Sequence, residues 1–327
     1  MSRLILALGL LASVASARPL DTPYLTLAKP HAEVGSIPTI EIVPGVHMPM
    51  SGIGTWQYND TQAEAAVTLA LSLGHRINID TADIYANQVG VGAAIKKSGL
   101  PRDAFFVTTK IAGGLNDTAT TAAVDGCLKD LGLDYVDLLL IHFPDFWNGK
   151  GGPDLRKSEW LQLEKEMAAG KTKALGVSHY CEHHLLDVLE VSSVPVAVNQ
   201  VEYHVGMGTA GPNATDSAMF DKLVGIQRQS FSPLCGPCND TELITGNFTN
   251  GIGKKYGKTG AQVALKWIVQ QGIPVIPKSD NIKHIKENLD LFDWKLSDED
   301  FKALTNAKSP PVFGGGDGKV SGDCATP

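Results

Sequence analysis

Side chains that could carry acid–base chemistry stand at the ends of the apolar segments of this sequence. They are Asp80, Lys110, His142, Ser178, His179, Gln200, Ser232, Lys278 and Ser279. Carboxylate, ammonium and imidazole groups transfer or stabilise protons when a fold holds them close together. Their recurrence at segment ends therefore points to one shared site, provided that the segments end on the same side of the fold.

The stretch "INIDTADIY" at residues 77–85 raises the question of whether such a polar residue is structural or functional. Asp80 closes an apolar, strand-like run, where an unpaired carboxylate would cost several kcal/mol. One interpretation is an ordinary helix cap, since Asp and Thr favour turns and helix N-termini. The other is a functional carboxylate that has a charged partner elsewhere in the chain.

Strand-like and helix-like segments alternate from about residue 52 onward. The strand-like segments are "GIGTW", "INID", "FFVTTK", "VDLLLIHF", "ALGVSH", "VAVNQVEY", "IQRQSFSP" and "IPVIPKS". Segments of helical period lie between most of them. Eight such units predict a single (β/α)8 TIM barrel of the α/β class, and "PTIEIVPGVHMP" predicts a β-hairpin before it. Active sites of such barrels lie at the carboxyl ends of the strands, which is where the polar residues stand.

A doubly wound sheet is the competing fold. It would carry a G-x-G-x-x-G sequence after its first strand. The nearest run, "GVGAAI" at 90–95, lacks the third glycine and follows no strand-like segment. We therefore favour the barrel.

Composition narrows the classes of function. The chain has 327 residues, 43% hydrophobic and 19% charged, with a net charge of −7. These values are typical of a folded globular protein, and the negative charge without a Lys/Arg run argues against nucleic-acid binding.

The N-terminus predicts a secretory signal peptide over residues 1–17, followed by one barrel over 18–327. Arg3 precedes an apolar run and Ala15-Ser16-Ala17, which has the form of a cleavage site. Five N-x-[ST] motifs agree with a secreted or organelle-lumen glycoprotein; they begin at Asn59, Asn116, Asn213, Asn239 and Asn247. After cleavage no membrane association is expected, and a cytoplasmic location is the second interpretation.

Five cysteines leave at least one thiol free or paired between chains. Cys235 and Cys238 have C-x-x-C spacing, and we expect a small disulfide between them or from one of them to Cys324. A zinc site would need a second pair of ligands, which the sequence does not reveal.

Several motifs, in order, resemble the aldo-keto reductase superfamily: "GIGTW", "INIDTADIYANQVGVG", "TTK", "LLIHFP", "ALGVSHY", "VNQVEYH", "SFSPL" and "IPKS…HIKEN". The resemblance runs from about residue 37 to about 308. It implies an NADPH-dependent carbonyl reductase that acts on a small aldehyde or ketone. We expect the protein to be a monomer.

The resemblance also implies catalytic roles. Tyr85 would be the general acid, Lys110 the neighbour that lowers its pKa, Asp80 the partner of Lys110, and His142 the residue that orients the carbonyl. Chemistry supports these roles, because the alkoxide formed on reduction needs a proton donor and a phenol near pKa ~10 needs tuning. No metal is needed, since Tyr85 and His142 can polarise the oxygen themselves.

The positions that match the family's contacts to the nicotinamide carboxamide are Ser178, His179 and Gln200. His179 replaces an asparagine of the family. Phe231 replaces the tyrosine that stacks on the ring, and Ser232 and Leu234 follow it.

On the adenosine side, Lys278 and Ser279 match contacts to the 2′-phosphate, and Glu287 and Asn288 match contacts to the adenine edge. His284 stands in place of an arginine that grips the phosphate. NADPH remains the favoured cofactor because Lys278 supplies charge, but a neutral imidazole cannot offer a bidentate grip, so NADH should be discriminated against less strongly.

Trp56 and Phe143 match the aromatic wall of the substrate pocket, and Phe146 and Trp147 could extend it. Two other functions stay open. One is a catalytically weak barrel that binds a nucleotide or a partner, which the replacements at His179, Phe231 and His284 would suit. The other is a polyol or sugar dehydrogenase.

Overall fold

A computed structural model describes residues 37–145, 151–207, 215–238 and 241–308. The predicted signal peptide at 1–17 lies outside these ranges. So do several residues that the sequence singled out, namely Phe146, Trp147, Asn213, Asn239 and Cys324.

The described chain opens with the predicted hairpin. Strand β1 (Thr39–Val43) pairs antiparallel with β2 (Val46–Pro49). Gly45 allows the tight turn between them with a φ of +79°. The loop before the second barrel strand holds the hairpin at the amino-terminal end of the sheet, where the Arg76 guanidinium donates to the His47 carbonyl at 2.8 Å.

Seven parallel strands follow, each paired with the next in chain order. They are β3 (Gly52–Gly54), β4 (Asn78–Asp80), β5 (Phe106–Ile111), β6 (Leu138–Ile141), β7 (Leu175–Ser178), β8 (Val196–Glu202) and β9 (Gln227–Phe231). Nearly all their residues are buried, as expected of parallel strands with the barrel interior on one face and helices on the other.

The eighth segment closes the barrel, with Val275 as its bridging residue. Val275 bridges Ser51 beside β3 on one side and Ser230 of β9 on the other, both in parallel. The predicted (β/α)8 barrel is therefore confirmed, but its last strand is much shorter than the segment "IPVIPKS". Pro274 and Pro277 explain the difference, because proline has no N–H to donate to a ladder.

Helices cover the outside of the barrel. They are α1 (Asp60–Leu71), α2 (Gln88–Ser98), α3 (Asp117–Leu131), α4 (Pro153–Ala168), α5 (Glu182–Val191), α6 (Thr215–Val224), α7 (Glu242–Thr245), α8 (Asn247–Tyr256), α9 (Gly260–Val269), α10 (Ile282–Leu289) and α11 (Asp298–Thr305). Within the described ranges, no helix is long and apolar enough to cross a membrane.

Two of the glycosylation motifs also have a structural explanation. Asn59 is the N-cap of α1 and accepts a hydrogen bond from the Gln62 N–H at 2.9 Å. Asn116 is the N-cap of α3 and accepts from the Ala119 N–H at 3.0 Å. An Asn-Asp-Thr sequence is thus also a good helix start, which weakens the count of motifs as an argument for glycosylation.

The glycines of "GVGAAI" serve helix packing and not a phosphate-binding turn. They lie inside α2, where a Cβ on Gly90 would come within 2.1 Å of the Asp60 carbonyl oxygen and one on Gly92 within 2.5 Å of the Leu131 carbonyl oxygen. Only glycine allows α1 and α3 to approach α2 this closely, so the doubly wound alternative is not needed to explain them.

Candidate active site at the carboxyl ends of the strands

Asp80 and Lys110 form a buried ion pair. The ammonium lies 2.6 Å from a carboxylate oxygen, and the side chains are 2% and 0% exposed. Asp80 ends β4 and pairs in register with Thr108, so Lys110 lies two residues further along β5, on the same face of the strand. The helix-cap interpretation is wrong, because the helical turn at Asp83–Tyr85 begins after Ala82 and has no side-chain cap.

The Lys110 ammonium uses its remaining hydrogens on groups around Tyr85. It donates to the Thr81 carbonyl at 3.0 Å and to the Tyr85 hydroxyl at 3.3 Å. Its three donors thus have three acceptors. The phenol is held beside a fixed positive charge, in the arrangement that the sequence predicted.

The net pKa shift of Tyr85, beside Lys110 and Asp80, differs in direction from the sequence prediction. Burial raises the pKa of Tyr85, and this effect outweighs the opposing Lys110 ammonium. Burial would lower the pKa of Lys110, but Asp80 and Tyr85 together raise it, so the ammonium keeps its charge. Lys110 thus lowers the pKa of Tyr85 as the sequence predicted, but the net shift is upward because burial is the larger effect, and the phenol holds its proton.

His142 follows β6 and is 4% exposed, with its backbone N–H bonded to the Ile111 carbonyl at 2.9 Å. Burial, with smaller effects of Lys110 and His179, lowers its pKa well below 6.5, so the ring is neutral at physiological pH. Its Nδ1 has no hydrogen-bond partner among the described residues. The ring stands edge-on to Tyr85, with 5.5 Å between centroids.

A stack of rings continues from His142 across the barrel mouth. Phe143 stacks on His142 at 4.4 Å and on His179 at 4.7 Å between centroids, and His179 contacts Phe231 at 4.7 Å. Phe143 is half-buried and packs against both histidine rings. Trp56, the other predicted wall residue, is 40% exposed and lies just after β3.

The predicted carboxamide contacts lie directly beside the ion pair. The Ser178 hydroxyl donates to the Gln200 carbonyl at 2.9 Å. The Gln200 side-chain amide donates to Asp80 at 2.8 Å and to the Gln229 side chain at 2.8 Å. Because both amide hydrogens are used inside the barrel, its Oε1 is the atom left to accept a hydrogen bond from a carboxamide N–H. The sequence prediction missed Gln229, whose signal is a polar residue within a buried strand.

Unusual backbone geometry concentrates at this end of the barrel. The non-glycine residues with positive φ in the described ranges are Gln57, Ala86, His179, Ser232 and Cys235. Each lies in a loop that follows a strand. Such conformations cost about 1–3 kcal/mol each and collect at functional sites. His179 has a φ of +61°, a region in which Asn and His are enriched, so the backbone explains why an asparagine position tolerates this replacement.

The predicted adenosine contacts lie after the bridging residue Val275. The Lys278 ammonium is exposed and donates to the Gln57 side chain at 3.2 Å, and the Ser279 hydroxyl accepts from the Asn281 N–H at 3.1 Å. In α10, His284 is exposed, Glu287 is half-buried, and Asn288 is buried with its carbonyl accepting from the Ser51 hydroxyl. These residues follow the segment that closes the barrel, and the contact with Ser51 ties the end of α10 to the start of β3.

The cysteines confirm one predicted pairing. Cys235 and Cys238 are disulfide-bonded in the loop after β9, next to the half-buried Leu234. Cys181 is also disulfide-bonded, and Cys127 is a free, buried thiol. The sequence prediction missed that Glu202 and His204 lie against the Cys235–Cys238 pair, with their ligand atoms all within 4.8 Å of one another.

Comparison with known proteins agrees with this site. The sequence profile of the Aldo/keto reductase family matches residues 49–309. The glyoxal reductase of Bacillus subtilis (strain 168) is 40% identical over 271 residues, covering 81% of this chain and 91% of that protein. A 9,11-endoperoxide prostaglandin H2 reductase of Trypanosoma cruzi (strain CL Brener) is 35% identical over 274 residues, covering 83% and 91%.

Among solved structures, an aldo/keto reductase from Brucella melitensis superposes with a TM-score of 0.73 at 36% identity, covering 83% of this chain and 99% of that one. The chain belongs to the aldo/keto reductase family. It is thus an NAD(P)H-dependent oxidoreductase that acts on small carbonyl compounds, and the family resemblance read from its motifs is confirmed.

Proposed function

We propose that the protein reduces a small aldehyde or ketone with NADPH and that Tyr85 is the proton donor. The observation that carries this proposal is the Lys110 ammonium, which contacts the Asp80 carboxylate at 2.6 Å and the Tyr85 hydroxyl at 3.3 Å. A cation that is fully buried and shared between a carboxylate and a phenol contributes little to folding that an apolar side chain would not. It does stabilise a phenolate.

The side chains divide the proton transfer among them. Tyr85 gives its proton to the substrate oxygen, and Lys110 stabilises the phenolate left behind. Asp80 keeps Lys110 charged and in place. His142 is neutral, so its imidazole can donate a hydrogen bond to the carbonyl oxygen without adding a charge to the site.

The residues present fit a nicotinamide dinucleotide, which supplies the hydride when bound. The Gln200 Oε1 is left to accept from a carboxamide, because both amide hydrogens are bonded within the barrel. Ser178 and His179 stand beside it, and Phe231 offers a ring face at the end of β9. Lys278 provides an exposed cation for a phosphate, and His284 provides a weaker contact than an arginine fork.

For the substrate we propose small aldehydes and dicarbonyls, because the relative from Bacillus subtilis is named for glyoxal reduction. The exposed Trp56 and the half-buried Phe143, which packs on His142, are the apolar side chains that we assign to the substrate wall. Alcohol oxidation, as in a polyol or sugar dehydrogenase, is the same chemistry in reverse, and rates measured in both directions separate the two.

The test is the loss of NADPH absorbance with glyoxal and with a simple aromatic aldehyde, comparing the wild type with Tyr85→Phe. We expect turnover by the wild type and a loss of about 10²- to 10⁴-fold in kcat for the variant, with binding of NADPH retained. Equal kcat values for the two proteins would remove Tyr85 from the role. Tight NADPH binding without turnover of any carbonyl would favour the catalytically weak barrel.

We also propose that residues 1–17 direct the chain to the secretory pathway, on the motif around Ala15–Ala17 and the N-x-[ST] sequences. Sequencing the N-terminus of the protein from its own cells tests this. A start at Arg18 supports cleavage, and a start at Met1 or Ser2 would place the protein in the cytoplasm instead.

A further inference from the structure

Two pairs of metal-ligand side chains meet beside the cofactor end of the barrel. Glu202 ends β8, and His204 lies two residues beyond it. Cys235 and Cys238 lie in the loop after the neighbouring strand, β9, whose Phe231 pairs in register with Glu202. The four ligand atoms lie within 4.8 Å of one another, and three of the four side chains are buried.

His204 is oriented as a metal ligand would be. Its ring is 0% exposed, and its Nδ1 lies 2.8 Å from the Val205 carbonyl oxygen. A carbonyl can only accept, so Nδ1 carries the proton and Nε2 carries the lone pair of the neutral ring. That Nε2 makes no hydrogen bond with any described residue and faces a Glu202 oxygen at 3.6 Å. A histidine held by a carbonyl on its second nitrogen is the usual arrangement at metal sites.

The donor set and spacing suit zinc. Two thiolates, an imidazole and a carboxylate are all zinc ligands, and C-x-x-C is the spacing of structural sites. Bond lengths of about 2.0–2.3 Å in a tetrahedron place ligand atoms about 3.3–3.8 Å apart. The Nε2–Oε1 distance of 3.6 Å already lies in this range.

We propose that this group, Glu202, His204, Cys235 and Cys238, is a two-state site: a disulfide under oxidising conditions, and a four-ligand Zn²⁺ site once the disulfide is reduced. A dithiol reductant transfers two electrons and two protons to the Cys235–Cys238 bond and itself becomes a disulfide. Zn²⁺ then replaces the two thiol protons, which go to solvent. Both states fix the loop that carries Ser232 and Leu234.

The test uses the full chain, reduced with a phosphine under nitrogen, freed of metal and titrated with Co²⁺ as a spectroscopic substitute for Zn²⁺. We expect one Co²⁺ per chain, with the intense visible bands of tetrahedral coordination and a thiolate-to-cobalt charge-transfer band. Zn²⁺ should displace it and raise the Tm. The unreduced protein should bind no Co²⁺ with these features.

Variants locate the site. Cys238→Ser should abolish the charge-transfer intensity expected from two thiolates, and His204→Gln should weaken Co²⁺ binding at least about tenfold. Cys127→Ala and Cys181→Ala are the controls, because neither cysteine belongs to the ligand group. Cys127 is already a free thiol, and Cys181 becomes one when its disulfide is reduced, so each tests whether a thiol elsewhere binds the metal. Both variants should bind Co²⁺ like the wild type. Circular dichroism confirms that each variant is folded.

The proposal is overturned if the reduced wild type shows no tetrahedral bands, if the oxidised protein shows the same bands, or if folded Cys238→Ser or His204→Gln protein binds as the wild type does. No readout depends on turnover, so these results stand apart from those on carbonyl reduction.

Discussion

Two buried carboxylates lie at opposite ends of the barrel strands, and they are paired very differently. Asp80 ends β4, and its cation, Lys110, is 0% exposed. Asp137 precedes β6 at the amino-terminal end. It accepts from the Val107 N–H at 2.9 Å and pairs with Arg102 and Lys173, whose side chains are 21% and 45% exposed.

The difference shows what each pair is for. The cations of Asp137 reach in from solvent, and Arg102 also packs over the Tyr135 ring at 4.2 Å, so this pair joins loops to the bottom of the sheet. The cation of Asp80 is fully buried and also donates a hydrogen bond to the Tyr85 hydroxyl. The amino-terminal pair therefore stabilises the fold, whereas burying the carboxyl-terminal pair costs stability, as the proton transfer proposed for that end would require.

The strongest test of this contrast is Tyr85→Phe. It removes the proton donor and one hydrogen bond to Lys110, so kcat should fall by about 10²- to 10⁴-fold while Tm changes little. Turnover assays and a thermal melt measure the two quantities. A large drop in Tm would show that the phenol has a structural role and that the contrast is overstated.

A matched pair of substitutions compares the two ends directly. Asp80→Asn leaves the Lys110 charge buried without a carboxylate, and we expect a loss of about 3–5 kcal/mol in unfolding free energy together with most of the activity. Asp137→Asn should cost about 1–2 kcal/mol, because its cations can turn to water, and should leave kcat unchanged. Urea melts and turnover assays on both variants check this.

Equal destabilisation by the two substitutions would contradict the contrast, since it would mean that the burial of Lys110 makes no difference. Loss of activity in folded Asp137→Asn would also contradict the contrast, because it would show that the amino-terminal pair affects turnover.

The pH dependence of stability should report on His142. Its folded pKa lies well below the unfolded value of about 6.5. The unfolded chain therefore binds the extra proton first, and His142 alone should cost up to about 1.4 kcal/mol for each pH unit below about 6.5 until its folded pKa is reached. Burial raises the pKa of Glu159 to about 8, which acts in the opposite direction, so the contribution of His142 is the difference between the wild type and His142→Gln. Urea melts from pH 7.5 to 5 measure this.

His142→Gln should reduce that slope, whereas His47→Gln, at an exposed position of the hairpin, should leave it as in the wild type. An unchanged slope in His142→Gln would show that the ring is not the group held neutral at the carboxyl-terminal end.

The smallest effect is expected at His284. Replacing it with arginine restores a bidentate donor near Lys278, so the NADPH-over-NADH ratio of kcat/KM should rise by about tenfold or less. Lys278→Met is the companion variant and should lower the same ratio. An unchanged ratio in both variants would show that His284 and Lys278 do not determine the preference for NADPH over NADH.

Placement of the four proposed catalytic residues could be predicted from the sequence because strand ends are easy to locate and parallel strands gather them at one edge. The length of the last strand could not, because Pro274 and Pro277 remove donors that an apolar pattern does not reveal. The net direction of the Tyr85 pKa shift was also out of reach, since it depends on how far burial outweighs Lys110.

The metal-ligand group shows the same limit. E-x-H and C-x-x-C lie about thirty residues apart in the chain, and only the pairing of β8 with β9 brings them together. Sequence spacing detects ligands on one segment, but a site divided between neighbouring strands needs the register.

Closure through Val275 has a consequence for how the barrel opens. Three backbone hydrogen bonds join this segment to the first strand region and two join it to β9, and Gly52, Ser230 and Ile276 are among their donors. We expect these amides to exchange with deuterium sooner than those of β5 and β6. Lys278 and Gln57 form a hydrogen bond across the same junction. A dinucleotide bound there would slow deuterium exchange of these amides and stabilise the closed barrel.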